Sequence, residues 1–220
     1  MSLVETQRAL AQLIRGEAPL GSDPYVQRVA ASQSLAVTRK VVLWWRAFGV
    51  GRACPLTSVL LRRAGGFEAF IATFVRSVPI SPYVEVLGQR FLHFAADCPE
   101  PLVAAVARFE LAMTAAKRGD DAEDRVAWPC DPNAVLLWLA GPPDDLPLVA
   151  ASGVYATQVG RSQPRLFSVL RESGQSGAAY ALGAIVPPAG RDALLADLPA
   201  DAGLSRRPAR SGSPRGARSA

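Results

Sequence analysis

Prolines punctuate this chain in a way that leaves few folds open. Asp23-Pro24, Cys54-Pro55, Ser81-Pro82 and the pair Pro99 and Pro101 each precede a stretch whose apolar residues recur at helical spacing. Proline fits the first helical position, where its missing N–H would have had no partner, and an oxygen-bearing residue before it suits the N-cap. Between these starts the stripes can be followed one by one. A short helix over 3–15 carries Leu3, Leu10 and Leu13. A long one from Pro24 carries Val26, Val29, Val37, Val41, Trp44, Trp45 and Phe48, with Gly49 and Gly51 expected to stop it. Pro55 opens a third with Leu56, Val59 and Leu60 inward, ending at Gly65-Gly66. "GFEAFIATFVRSVP" places Phe67, Phe70, Ile71, Phe74 and Val75 on one side, the strongest core stripe in the chain. After Ser81-Pro82 come Val84, Leu87, Phe91, Phe94 and Ala95, with Gly88 allowing close approach. The last stripe is Leu102, Val106, Phe109 and Met113, kept slim by Ala105, Ala112 and Ala116. Helices joined by short connections predict a helical bundle over residues 1–120.

Beyond residue 125 glycine and proline become frequent and apolar runs shorten. The charged stretch "KRGDDAEDR" is read as a solvated domain boundary. A short strand or helix is expected around 134–140. Two β-prone runs, 154–159 and 165–171, flank the turn "GRSQP" and predict a hairpin. Leu166, Ser168 and Leu170 would face one way, and Arg165, Phe167, Val169 and Arg171 the other. "AAYALGAIVPP" and "AGRDALLADL" are expected to form short helical or extended pieces. The fold class is thus mainly α with a small α+β part: a helical bundle over 1–120, a small mixed domain over 125–200 and a disordered Arg-rich tail over 205–220.

The chain has 220 residues and a formal charge of +5. Its tail holds five of the 24 basic residues, which leaves 19 against 19 acidic ones in the body. Net charge therefore gives no argument for a duplex-binding body. No run of about 18 apolar residues exists to span a membrane. The N-terminus does not read as a secretory signal. Cys54, Cys98 and Cys130 are few and scattered, which favours a reducing compartment over a disulfide framework or zinc site. These features predict a soluble, cytoplasmic protein.

Chemistry is sparse. There is no GxxxxGK loop, no GxGxxG after a strand and no GxSxG elbow. The single histidine, His93, recurs with Glu85, Gln89 and Asp97 on a face away from the core stripe. It is read as a solvated or interface residue, and one histidine cannot supply a two-histidine iron triad. Cys54 and Cys98 stand at helix starts, where a thiol can be acidified; small apolar filler is the expected role. Trp44 and Trp45 point about 100° apart on a helix. Core packing is expected for them, with an exposed anchor for a partner as the alternative. His93 and Trp45 are the candidate interface residues. No catalytic residue and no metal ligand is assigned.

Residues 70–120, "FIATFVRSVPISPYVEVLGQRFLHFAADCPEPLVAAVARFELAMTAAKRGD", resemble the N-terminal domain of the HvfC/BufC-type proteins, often labelled putative DNA-binding proteins. The resemblance lies in Ser81-Pro82, Leu87-Gly88, Phe91 with Phe94, the proline before Leu102, and Phe109-Glu110 followed by Ala112. It spans roughly residues 55–120 and is a pattern of helix starts and core positions. It implies a partner subunit without catalytic residues or cofactor of its own. The partner would be a TIM-barrel multinuclear non-haem iron oxygenase, which holds the iron and modifies cysteines of a ribosomally made precursor peptide, as in methanobactin biosynthesis. The resemblance implies that the helical domain docks on the enzyme while the second domain holds the leader peptide as an added strand. An exposed strand edge suits that task. The candidate edge is Arg165, Leu166, Phe167, Ser168, Val169, Leu170 and Arg171, or its mate 154–159, with Phe167 and Val169 setting specificity. The other reading is a DNA-binding regulator that uses the helical domain and the basic tail.

Overall fold

The computed structural model of the chain describes residues 2–17, 23–78, 83–142, 154–172 and 185–188. In order these form α1 (Leu3–Arg15), α2 (Pro24–Ala30), α3 (Gln33–Ala53), α4 (Pro55–Arg63), α5 (Phe67–Ser77), α6 (Val84–Ala96), α7 (Pro101–Arg118), β1 (Asp124–Trp128), α8 (Pro132–Ala140), β2 (Val154–Val159) and β3 (Phe167–Glu172). The fold is mainly α with a small α+β part, as the stripes and the hairpin predict. Ser81-Pro82, most of 173–200 and the tail 205–220 lie outside the described residues.

The proline starts work as capping physics requires. Asp23 accepts hydrogen bonds from the N–H groups of Tyr25 (2.8 Å) and Val26 (3.2 Å). Glu100 accepts from Leu102 (3.4 Å), and Asp131, before Pro132, accepts from Asn133 (2.9 Å). Each satisfies an orphan donor of the first turn. Cys54, before Pro55, makes no such bond. Its place is taken by Glu110 of α7. One carboxylate oxygen accepts from Leu56 N (3.0 Å), and the other accepts from Thr57 N (2.9 Å) and Thr57 Oγ1 (2.8 Å). A carboxylate from another helix thus performs the N-cap of α4 and ties α4 to α7.

The helix predicted from Pro24 to Phe48 is two helices. Ser32 interrupts it, its hydroxyl accepting from Ser34 N. Leu35, just beyond the break, packs with Ala9, Leu13 and Val26 in a small cluster that joins α1 to α2 and α3. Gly49 and Gly51 do not stop α3, which runs on to Ala53. Glycine weakens a helix interior by about 1 kcal/mol, and here packing compensates. Gly49 is buried against Leu87, and Gly88 of α6 lies so close to α3 that an added Cβ would fall 2.5 Å from Ala53 Cβ. The close approach expected at Gly88 is therefore real.

The main core is built from the predicted stripes. Phe70 and Phe74 of α5 meet Phe91 and Phe94 of α6 with ring centroids 5.3–5.8 Å apart. Leu102, Val103, Ala105, Val106 and Ala107 are all buried. α7 is apolar on more than one side because α4 and α6 cover one face and the sheet covers another.

The sheet order is β1-β2-β3, antiparallel throughout. Val126 pairs with Thr157, and Thr157 with Val169. Strand alternation turns Val126, Trp128, Tyr155, Thr157, Val159, Phe167 and Val169 toward α7. Phe109 meets Trp128 at 5.6 Å and Phe167 at 5.2 Å. The indole N–H of Trp128 donates to Thr157 Oγ1 at 2.9 Å. β1 was not expected, since it follows directly on the charged linker. That linker is also fastened: Arg161 pairs with Asp121 at 3.0 Å, and Glu123 accepts from Gln158 (2.6 Å) and from Ser162. The buried cluster accordingly runs from the helices of residues 1–120 into β1, α8 and β2 without interruption. Residues 185–188 return to the bundle, where Ile185 covers Gly66 and the Val186 carbonyl accepts from Cys98 Sγ at 3.5 Å.

Candidate functional site

α3 is apolar on two sides, and only one is used by the fold. Leu35, Gly49 and Val50 face inward. On the outer side stand Val37, Val41, Trp44, Trp45 and Phe48, all exposed; each indole keeps 59 % of its surface in solvent and Phe48 keeps 46 %. The expected core packing of Trp44 and Trp45 is corrected on this point. The core side of α3 is taken by Val50, with Leu43, Ala47 and Ala53 half-buried against the same cluster, and the tryptophans lie on the other side. They pack instead on one another. Trp44 and Trp45 meet edge to face at 5.0 Å, Trp44 stacks on Phe48 at 5.8 Å, and the guanidinium of Arg52 lies 5.9 Å from the Phe48 ring. Aromatic clusters of this kind at a surface are enriched in binding anchors.

Beside the cluster α3, α6 and α7 enclose a groove of about 600 Å³. Trp45, Phe48, Gly88, Leu92 and Leu111 form its apolar floor and wall, and Val84, predicted inside, stands exposed at its edge. The close crossing at Gly88 is what lets α3 and α6 meet without filling it. Arg52 and Arg118 bring positive charge to the lining, against the single carboxylate of Glu85. Of the two interface candidates, Trp45 lines this groove. His93 does not; it sits one turn past Gln89 and is half-buried on α6. Sequence periodicity missed Gly88, Leu92, Leu111, Thr114 and Arg118 as groove residues. The available signal was an excess of apolar positions on α3, too many for a helix with one buried face.

The seven predicted strand residues divide. Arg165 and Leu166 are not strand. They lie in a 3-10 turn with left-handed φ of 59° and 70°. β3 begins at Phe167, because Gly160 N bonds to the Leu166 carbonyl and closes the turn there. Phe167, Val169 and Arg171 do share a face, but that face is turned to α7. Phe167 is held by Phe109 and Val169 by the core, so neither displays a specificity side chain. Ser168 and Leu170 alternate to the other face, with Leu170 exposed and Ser168 Oγ donating to Gln163 at 2.9 Å. Among the described residues β3 pairs with β2 alone, and so does β1.

The three cysteines are buried. Burial pushes every thiol up: Cys130 to about 11, Cys98 in the same direction, and Cys54 furthest, with the Glu110 charge adding to the effect. Cys54 Sγ donates to the Gly88 carbonyl at 3.3 Å. These are packing thiols with little thiolate, the opposite of what a nucleophile needs. Glu110 is also buried, and its carboxyl is raised by that burial while the Thr57 and Leu56 donors pull it down. All three donors it meets belong to the start of α4, so the group is a cap. Among the described residues no three His, Cys, Asp or Glu side chains gather where they could hold a metal ion. No helix there is long and apolar enough to cross a membrane. What this region offers chemically is an adhesive surface with positive rims. No family model matches the chain, and neither a curated protein nor a solved structure matches it.

Proposed function

We propose that this chain is a non-catalytic partner subunit of a multinuclear non-haem iron oxygenase that modifies cysteines of a ribosomally synthesised precursor peptide, in the manner of methanobactin biosynthesis. It would bind both the enzyme and the leader of the peptide. The observation that carries the reading is the solvent-facing aromatic cluster of Trp44, Trp45 and Phe48 beside an open groove. A single domain leaves so much contiguous aromatic surface wet when another protein is to cover it. The resemblance read in residues 55–120 to HvfC/BufC-type proteins favours an iron oxygenase as that partner. Among the described residues β1 and β3 are the outer strands of the sheet, and that position supports peptide capture by strand addition, which needs main-chain groups rather than particular side chains.

The test is affinity purification of the tagged full chain from its native cells, with identification of what it retains. A complex that contains an iron enzyme, this chain and a short Cys-containing peptide is the expected result. Stoichiometric iron on the isolated chain, or its failure to retain any iron enzyme, would refute the reading. Loss of a gel shift on raising the salt would point to the DNA-binding regulator instead.

A further inference from the structure

The exposed apolar residues of α3 are not scattered. Val37, Val41, Trp44 and Phe48 follow one another at intervals of four, three and four. That is the a/d spacing of a helix that pairs with another helix. The seam runs for about 16 Å at 1.5 Å per residue and leads into the groove at Phe48. Lys40, Trp45 and Arg52 lie at the flanking positions, where in a paired helix the charges that choose a partner stand. α3 contains Arg39, Lys40, Arg46 and Arg52 and no acidic residue over its whole length. Across the groove α7 adds Arg118. A small molecule could fill the groove but would leave Val37, Val41 and Trp44 in water. A second copy of α3 would set Lys40 and Arg52 against the same two cations, since Arg39 is turned to the Leu13 carbonyl and Arg46 is half-buried on the far side. An amphipathic helix with apolar anchors and carboxylates at its flanks satisfies both the seam and the rim.

We infer that the seam Val37–Val41–Trp44–Phe48, with the adjoining groove, is a docking site for one acidic amphipathic helix of the partner protein, its carboxylates paired with Lys40, Arg52 and Arg118. This rests on the reading of the chain as a docking subunit and specifies the chemistry by which it docks. The apolar anchors provide the adhesion, and the cationic rim provides selection against neutral or basic helices.

Two designed 21-residue helices test it, identical in leucine a/d anchors, one with glutamate and the other with lysine at the flanks. The full chain should bind the glutamate helix at least tenfold more tightly at low salt, with the preference shrinking as salt screens the rim. Lys40→Glu with Arg52→Glu should reverse the preference. Trp44→Ala with Phe48→Ala should abolish binding while leaving the circular dichroism spectrum unchanged. Equal binding of the two helices, binding of neither, binding that survives Trp44→Ala with Phe48→Ala, or a dimer of the chain sealed through α3 would each overturn the inference. The same double variant separates this inference from the function it rests on. If it still retains the iron oxygenase, the seam is not the docking site and the partner-subunit reading stands. If the wild-type chain retains no such enzyme yet discriminates the two helices, that reading fails and the seam's selectivity stands.

Discussion

Glu110 gives the most quantitative test of how this bundle is held. Its carboxylate is 5 % exposed and accepts from Leu56 N, Thr57 N and Thr57 Oγ1 within 3.0 Å. Glu110→Ala leaves α4 without an N-cap, at a cost of about 1–2 kcal/mol. It also leaves buried donors without an acceptor, each worth about 1–3 kcal/mol. Relief of the desolvated charge offsets part of this. The expected net loss is about 3 kcal/mol, or about 6–12 °C in melting temperature for a chain of this size. Glu110→Gln keeps one oxygen for Thr57 but turns an NH₂ toward the Leu56 N–H, so about half of that loss is expected. Urea unfolding monitored by circular dichroism measures both. The pH dependence has a definite sign. Burial raises the Glu110 carboxyl above its ordinary value of 4.5. The folded protein therefore holds this proton more tightly than the unfolded chain. The resulting stabilisation is full below the unfolded value and is lost as pH rises through the raised folded one. Relative to the non-titrating Glu110→Gln, the wild type should lose part of its advantage across that interval. An advantage that grows with pH, or a Glu110→Ala chain within about 0.5 kcal/mol of wild type, would refute the account of Glu110 as a buried, desolvated cap.

Gly88→Ala forces a methyl against Ala53 Cβ at 2.5 Å and Cys54 Sγ at 3.2 Å, and overpacking of this kind costs about 1–3 kcal/mol; an unchanged urea midpoint would contradict the close crossing. Thr157→Val should cost about 1–2 kcal/mol by orphaning the buried Trp128 N–H, whereas Trp44→Ala, at an exposed site, should change stability by no more than about 0.5 kcal/mol. Cys54, Cys98 and Cys130, buried with raised thiols, should react with a thiol reagent only as fast as the native chain opens, so rapid labelling of the folded protein would contradict their packing. Of Leu170→Pro and Arg171→Pro, one removes an N–H directed away from β2; if the β3 edge receives the leader peptide that variant should weaken its binding, and unchanged affinity in both would exclude this edge.

What could be read from residue order alone was local. A cap, a proline and a stripe occupy positions within a few residues of one another, so helix starts at Pro24, Pro55 and Pro101 and the inward faces of α5, α6 and α7 follow from the chain's own periodicity. The hairpin was legible for the same reason, since its two strands are separated only by a short turn. Its first two assigned residues were not, because Arg165 and Leu166 adopt left-handed backbone that nothing in their side chains announces. Other features depended on partners distant in the chain. β1 exists because it pairs with β2 some thirty positions later, and its short, half-polar sequence carries little strand preference without that ladder. The cap of α4 comes from Glu110, 53 residues beyond Thr57, which no local rule connects to Cys54-Pro55. Most consequential is α3. Periodicity shows that it has an apolar surface, but two of its faces are apolar, and only the packing of α6 against Gly49 and Val50 decides which becomes interior. That choice leaves Trp44, Trp45 and Phe48 in water and turns what reads as core into exposed surface.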